Sequence, residues 1–279
     1  MKKLKMACVQ TNSGSDVEAN IVEVSAMIRE AKSIGANFIT TPEVVGMLEP
    51  DKEQAFRKAQ TENDHRVLIE LSNLAKTLSV WLLIGSISVK LSATKLSNRS
   101  FLIDPGGAVV ARYSKIHMFD VQLGDGSQYR ESSTYSPGTE AVLSSTPWGP
   151  MGLTICYDIR FPELYRELAQ AGAKVIFIPS AFTQVTGKAH WHVLQRARAI
   201  ETGCFIVSPA QVGLHAQNRQ TFGHSVIVDP WGNIIADGGT KKGVIVAEID
   251  LDLVEEARKK IPSIYHDQEY SKLSKEGLK

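Results

Sequence analysis

Apolar residues recur at three- and four-residue spacing in some stretches and crowd into short strand-length runs in others, and the two patterns take turns along the chain. Ile21, Val24, Met27, Ile28, Ala31 and Ile34 form a helical stripe, with Ser15 or Asp16 placed to cap its start and Gly35 to stop it. Asn37 to Thr41 then reads as a strand. The order returns later. Leu164, Tyr165, Leu168 and Ala169 predict a helix, Gly172 its stop, and Lys174 to Ile178 a strand. Such alternation predicts an α/β fold.

Two echoes join these passages. Arg29 to Pro42 aligns with Arg166 to Pro179 without a gap, and both end in proline just past a strand. Phe101-Leu-Ile-Asp-Pro-Gly-Gly107 resembles Val226-Ile-Val-Asp-Pro-Trp-Gly232, each reading as strand, turn and strand of a β-hairpin. Two echoes in the same order imply two similarly built halves. Two sheets packed face to face, with helices outside, would bury such a chain as one domain over residues 1–279. Asn98 to Gly107 and Gly124 to Gly138 are the loop-rich stretches, and the polar tail after Ile261 is expected to contribute to a subunit interface.

Composition narrows the class. At 279 residues the chain can bury a sizeable core in one large domain or two small ones. A net charge of +1 gives no electrostatic case for nucleic acid or an acidic membrane surface. No stretch approaches the length needed to span a bilayer, and Met6 to Gln10 behind Lys2, Lys3 and Lys5 is too short for a secretory signal. Cys8, Cys156 and Cys204 are odd in number and widely spaced, which argues against a disulfide framework and a cysteine-rich zinc site. A reducing cytoplasm is the simplest compartment. No P-loop or G-x-G-x-x-G occurs, and the spacing of the seven histidines gives no metal site. His190 and His192 point to different sides of a helix, while His117, His215 and His224 are expected to be hydrogen-bonding loop or strand residues.

Cys156 stands where a pattern changes. Met151 to Ile155 reads as a short buried strand, and Pro162 suits the first turn of a helix. Between them the chain must turn sharply. A helix N-terminus favours negative charge, so this setting is expected to promote the reactive thiolate. These residues alone leave Cys156 open between nucleophile and core thiol, whereas Cys8 and Cys204 read as core. Glu43 lies just beyond a strand end, where a carboxylate could take a thiol proton, but a solvated surface glutamate is the plainer reading. Lys115 follows the second strand of the first hairpin. An ammonium there would lower a thiol pKa or hold an oxyanion, against the commoner surface lysine. Glu131 falls in the Gly-rich loop. Trp191, Leu194 and Ile200 read as the core face of a helix.

Pro42-Glu43, Tyr113-Ser-Lys115 and Ile155-Cys-Tyr-Asp-Ile-Arg-Phe-Pro-Glu163 together resemble the carbon–nitrogen hydrolase, or nitrilase, superfamily. The likeness continues through Ala189-His-Trp191, Arg196 to Glu201, Gly223-His-Ser225 and Asp229-Pro-Trp-Gly232. It implies a four-layer α-β-β-α sandwich, usually paired through helices into a homodimer, and a catalytic triad of Glu43, Lys115 and Cys156. It implies the Tyr157 backbone N–H as an oxyanion donor beside Lys115, Glu131 as an accessory glutamate, and no metal or organic cofactor. Arg160, Phe182 and Arg219 are the expected substrate contacts. Within the superfamily, Tyr129-Arg-Glu-Ser132, Ala210-Gln-Val-Gly213 and His215 to Gly223 resemble the branch that cleaves the amide of deaminated glutathione to 2-oxoglutarate and cysteinylglycine. An ω-amidase acting on 2-oxoglutaramate is the alternative substrate reading. A membrane-bound acyltransferase and a glutaminase domain feeding a synthetase fit less well, and a non-catalytic scaffold is the non-enzymatic reading.

Overall fold

A computed structural model describes residues 4–123, 126 and 128–270. The first half runs β1 (Leu4–Gln10), α1 (Val17–Ser33), β2 (Phe38–Thr40), α2 (Lys52–Lys58), α3 (Arg66–Leu78), β3 (Trp81–Lys90), β4 (Leu96–Ile103) and β5 (Val109–Ser114). A small hairpin, β6 (Asp120–Gln122) and β7 (Gln128–Arg130), follows. The second half runs β8 (Val142–Thr146), β9 (Gly149–Leu153), α4 (Pro162–Gln170), β10 (Val175–Phe177), α5 (Gln184–Thr202) and β11 (Phe205–Ser208). It continues through β12 (Val212–Leu214), β13 (Gln220–Phe222), β14 (Val226–Val228), β15 (Ile234–Asp237), β16 (Gly243–Ile249) and α6 (Asp252–Lys260).

Among the described residues β6-β7 and β12-β13 pair separately, and the other twelve strands form two six-stranded sheets, ordered β16-β1-β2-β3-β4-β5 and β15-β14-β11-β10-β9-β8. Each has three parallel strands at its centre, β1-β2-β3 or β9-β10-β11, and an antiparallel hairpin, β4-β5 or β14-β15, on one side. The echoes in the sequence are therefore echoes in space. Even the hairpin turns match. The Asp104 carboxylate accepts from the N–H groups of Gly106 and Ala108, and Asp229 accepts from those of Trp231 and Asn233. The halves differ at the far edge. Sheet one takes its sixth strand, β16, from near the end of the chain, antiparallel to β1.

Side-chain alternation along the strands builds the layers. Met6, Cys8, Phe38 and Leu83 belong to a core shared with residues of the second sheet, whereas Ala7, Val9, Ile39 and Leu82 pack with residues of α1 and α3. Phe38 stacks on Phe177 across the two sheets, ring centroids 5.2 Å apart. The result is the expected α-β-β-α sandwich.

Local expectations fare unevenly. Asp16 caps α1 by accepting from the Ala19 N–H, and Pro162 opens α4. Ile34, assigned to the buried stripe, is instead the 45 % exposed C-cap, because the helix ends one residue before it. Ile200 is likewise exposed, not core, while Trp191 is fully buried. Asn98 to Ser100, read as loop, lies inside β4. The polar Asn98 and Ser100 mask the strand pattern because both are buried and hydrogen-bonded. Beyond α6 the chain lies along α4, with Arg166 bonding Asp267 and Gln170 bonding the Ile264 carbonyl. The loop positions Gly124, Asp125 and Ser127 and the tail from 271 lie outside the described residues.

Candidate active site

Three arms reach one point at the seam between the sheets. The first follows β2. Gly85 on β3 permits it, since a Cβ there would lie 1.9 Å from the Thr41 carbonyl oxygen. Val44, directly after Glu43, is held at φ 50°, an unusual conformation for a β-branched residue, with its N–H donated to the Ser86 hydroxyl at 2.8 Å. The second arm follows β5, where the Lys115 N–H donates to the Asn98 carbonyl at 2.9 Å. The third follows β9, where Cys156 opens a single 3₁₀ turn (Cys156–Arg160) at φ 48°. Left-handed non-glycine residues carry strain that the surrounding structure must hold in place. Two of the three arms carry one.

The arms bury their charged ends together. Lys115, 2 % exposed, donates to Glu43 Oε1 at 2.9 Å and to Glu131 Oε2 at 2.8 Å. Glu43, 4 % exposed, accepts from the Asn98 amide at 2.9 Å and from the Ala181 N–H at 2.8 Å. The surface-glutamate reading of Glu43 fails on burial, and the surface-lysine reading of Lys115 fails with it. Burial works to raise the Glu43 pKa, but the Lys115 charge and hydrogen bonds from Lys115, Cys156 and Asn98 outweigh it and hold the carboxyl below its usual range. Burial works to lower the Lys115 pKa, but Glu131 and Glu43 hold it well above the ordinary value.

Cys156 goes against expectation. Burial pushes its thiol far up, and the Glu43 charge pushes it further, against weaker help from Lys115 and the Ala181 N–H. The α4 N-terminus was expected to favour the thiolate, but α4 starts at Pro162, beyond the 3₁₀ turn. The resting state is therefore a neutral thiol beside an ionised carboxylate. Such a pair suits attack with simultaneous proton transfer to the base.

These groups line a cavity of about 650 Å³. Tyr157, Glu131, Phe182 and Arg219 line it too. Arg160 does not. Its guanidinium lies 5.4 Å from the Phe182 ring and 5.8 Å from that of Tyr157, within 3.2 Å of His190. Arg219 donates to the Ala181 carbonyl at 3.2 Å and lies over the Tyr129 ring, while its Nε is buried with no partner among the described residues. Arg219 lies in the loop that joins β12 and β13, two strands paired as a hairpin. Within it Gln211 and His215 are internal ties: Gln211 donates to the Glu43 carbonyl at 3.1 Å, and His215 spans Ser13 and Thr221.

Two residues escaped the sequence reading as individuals. Asn98 bonds Glu43 and Glu131 with one amide nitrogen. Asp158, fully buried, accepts from the Tyr113 hydroxyl at 2.6 Å, from the His117 N–H and ring, and from the Ile155 N–H. It staples the lysine arm to the cysteine turn. Its place two residues after Cys156, opposite Tyr113-Ser-Lys115, is visible in the sequence only once those arms are known to meet. The histidines also found partners that spacing hid. His192 and His224 both meet Asp237.

The carbon–nitrogen hydrolase family model matches residues 5–259, and the chain belongs to that family. Membership makes it a hydrolase of carbon–nitrogen bonds. Over 273 residues the chain is 41% identical to a deaminated glutathione amidase of Synechocystis sp., covering 95% of this chain and 98% of the relative. The crystal structure of the C. elegans NitFhit protein matches 95% of this chain at 35% identity with a TM-score of 0.89, and the chain spans only 65% of that protein. Saccharomyces cerevisiae Nit3, described as a member of branch 10 of the nitrilase superfamily, matches at 30% identity and a TM-score of 0.85, with 95% and 96% of the two chains covered.

Proposed function

We propose that the protein is an amidase that cleaves deaminated glutathione to 2-oxoglutarate and cysteinylglycine through a thioester on Cys156. One observation carries the chemistry: a buried carboxylate, ammonium and thiol converge on a single cavity wall. In this reading the Cys156 sulfur attacks the amide carbon while Glu43 takes the thiol proton. Lys115 and the Tyr157 N–H hold the developing oxyanion. Glu43 returns the proton to the departing amine as the C–N bond breaks. Water then gives a proton to Glu43 and attacks the thioester, and the sulfur leaves and regains its proton. Glu131 holds Lys115 in place.

The substrate assignment rests on the relative's name and on charge. Lys52, Arg130 and Arg219 line the cavity and form no direct ion pair among the described residues, whereas Lys115 answers Glu43 and Glu131, and Lys58 answers Glu49. To these cations, of which Arg130 also acts on Asp120 and Lys52 also donates to the Ser133 carbonyl, a substrate carrying a carboxylate at each end has two anions to offer. Arg219 presents a fork suited to one of them, Phe182 packs beside the acyl chain, and Arg160 acts through the rings it covers. Side-by-side kcat/KM should favour deaminated glutathione over 2-oxoglutaramate. The reverse order would replace the substrate with that of an ω-amidase and leave the acyl chemistry intact.

The working unit is proposed to be a homodimer. Val185, Val193 and Ile200 make an exposed apolar stripe on α5, 49 %, 68 % and 53 % exposed. Sedimentation equilibrium checks it. No helix among the described residues is long and apolar enough to cross a membrane. Three free, buried thiols suit a reducing cytoplasm.

A further inference from the structure

Away from the cavity, two imidazoles and a carboxylate meet on the outer side of the second half. His192 comes from α5, His224 from the link between β13 and β14, and Asp237 from the end of β15. His192 Nε2 lies 2.9 Å from Asp237 Oδ2, and His224 Nδ1 lies 2.9 Å from Oδ1. One donor atom from each of the three falls within 4.8 Å of the others. None of the three lines the cavity.

The surroundings fix this cluster. The His224 backbone is tied at both ends, its N–H donating to the Gly239 carbonyl at 2.7 Å and its carbonyl accepting from the Trp191 indole at 2.8 Å. Because Trp191 precedes His192 on α5, that second bond also ties α5 to the His224 backbone, and the two imidazole rings lie 5.0 Å apart. Phe222 stacks on the His224 ring at 4.5 Å. The Gly239 N–H donates to Asp237 Oδ1 at 2.8 Å, orienting the carboxylate. The three side chains are 33 %, 23 % and 31 % exposed, enough for an ion to reach them and for water to fill a remaining position.

We propose that His192, His224 and Asp237 form a binding site for a divalent transition-metal ion of the zinc class. Two imidazole nitrogens and one carboxylate oxygen suit zinc, cobalt or nickel rather than magnesium or calcium, which prefer all-oxygen shells. Ligand atoms about 2.1 Å from a shared tetrahedral ion lie roughly 3.4 Å apart. The nitrogen-to-carboxylate separations of 2.9 Å fall a little short of that value and no pair of donors exceeds 4.8 Å, so small rotations of the part-exposed side chains complete the site. The ion replaces the protons that the two imidazoles now share with Asp237. It is not a catalytic metal. It clips α5 to the β14–β15 hairpin, and its role is structural.

The test uses tag-free, chelator-stripped protein carrying Cys156→Ala, which removes the cavity thiol as a rival soft ligand. Titration with cobalt(II), followed by visible absorption, and with zinc(II), by calorimetry, should show one equivalent bound, with the thermal midpoint raised. His192→Ala and His224→Ala in the same background should each weaken zinc binding by about tenfold or more. Circular dichroism of the metal-free variants establishes that they are folded. Separately, the enzyme with Cys156 intact should keep full amidase activity after stripping. Absence of saturable binding, or binding that folded His192→Ala and His224→Ala proteins retain, would overturn the site. Loss of activity on stripping, restored by zinc, would overturn its structural role.

Discussion

In the first half β2 runs into Thr41-Pro-Glu43, and in the second its counterpart β10 runs into Ile178-Pro-Ser180. One exit delivers a buried carboxylate. The other delivers the Ala181 N–H that binds this carboxylate at 2.8 Å. The second-arm strands differ in the same way. β5 leads to Lys115, while β15 ends in Asp237, which faces imidazoles instead. β9 leads to Cys156, and its counterpart β1 leads to Thr11 and Ser13, which hold Gln211. A duplicated scaffold thus offers equivalent strand ends twice, yet a single acyl-transfer site results. The halves hold complementary parts of it: the carboxylate and ammonium come from one, the thiol and supporting amide from the other.

Removing the one part that only the second half supplies should have the largest effect. Cys156→Ala should abolish amidase turnover while circular dichroism and thermal unfolding stay close to wild type. Cys8→Ala and Cys204→Ala, in the fully buried core, should keep activity and lose about 1 kcal/mol of stability. Near-native turnover by Cys156→Ala would end the comparison.

The first half's contribution comes next. Glu43→Gln should lower kcat by about 100- to 10,000-fold. Lys115→Met should lower it by about 100- to 1,000-fold. Both should change KM far less. The Glu43 pKa is depressed in the folded protein, so its ionised form adds stability above the ordinary glutamate value of about 4.3. That stability is lost as pH falls through the lower folded value. Denaturation of wild type and Glu43→Gln should therefore show a constant stability gap from pH 7 down to about 4.5, shrinking only below it. A gap that closes between pH 7 and 5 would mean that the carboxyl is not depressed.

The seam itself can be loosened without touching either reacting part. Asp158→Asn weakens the bonds to Tyr113, His117 and the Ile155 N–H, and should cost about 3 kcal/mol in urea unfolding together with a drop in kcat. Unchanged stability and kcat would show that the staple is incidental. The smallest effect concerns substrate choice. Arg219→Lys should lower kcat/KM on deaminated glutathione roughly tenfold more than on 2-oxoglutaramate. Equal losses would leave Arg219 as a support for Ala181.

Much of this architecture was legible because it rests on periodicity and punctuation. The α1 stripe as far as Ala31, its Asp16 cap, Pro162 and the two Asp-Pro-x-Gly turns are local signals, and the structure keeps them. What hid were long-range facts. Burial of Glu43 and Lys115 depends on three strand ends meeting. β4 was obscured because its interior positions carry Asn98, Arg99 and Ser100, whose side-chain donors find partners only far along the chain. The Cys156 pKa was misjudged because the helix start was counted and desolvation was not. The imidazole–carboxylate cluster joins α5 to β15, and no spacing rule reaches across that distance.

The central claim is that the cysteine supplied by the second half carries the acyl group while the carboxylate from the first half moves the proton. Rapid quench of the enzyme with deaminated glutathione, followed by intact-mass and peptide mass spectrometry, tests it directly. A 2-oxoglutaryl adduct should appear on the peptide containing Cys156, form and decay within the turnover time, and be absent in Cys156→Ala. The same adduct should form from 2-oxoglutaramate, because both substrates donate the same acyl group. Steady-state turnover with an adduct on another residue, or with Cys156 unmodified under conditions where hydrolysis of the thioester is rate-limiting, would contradict it.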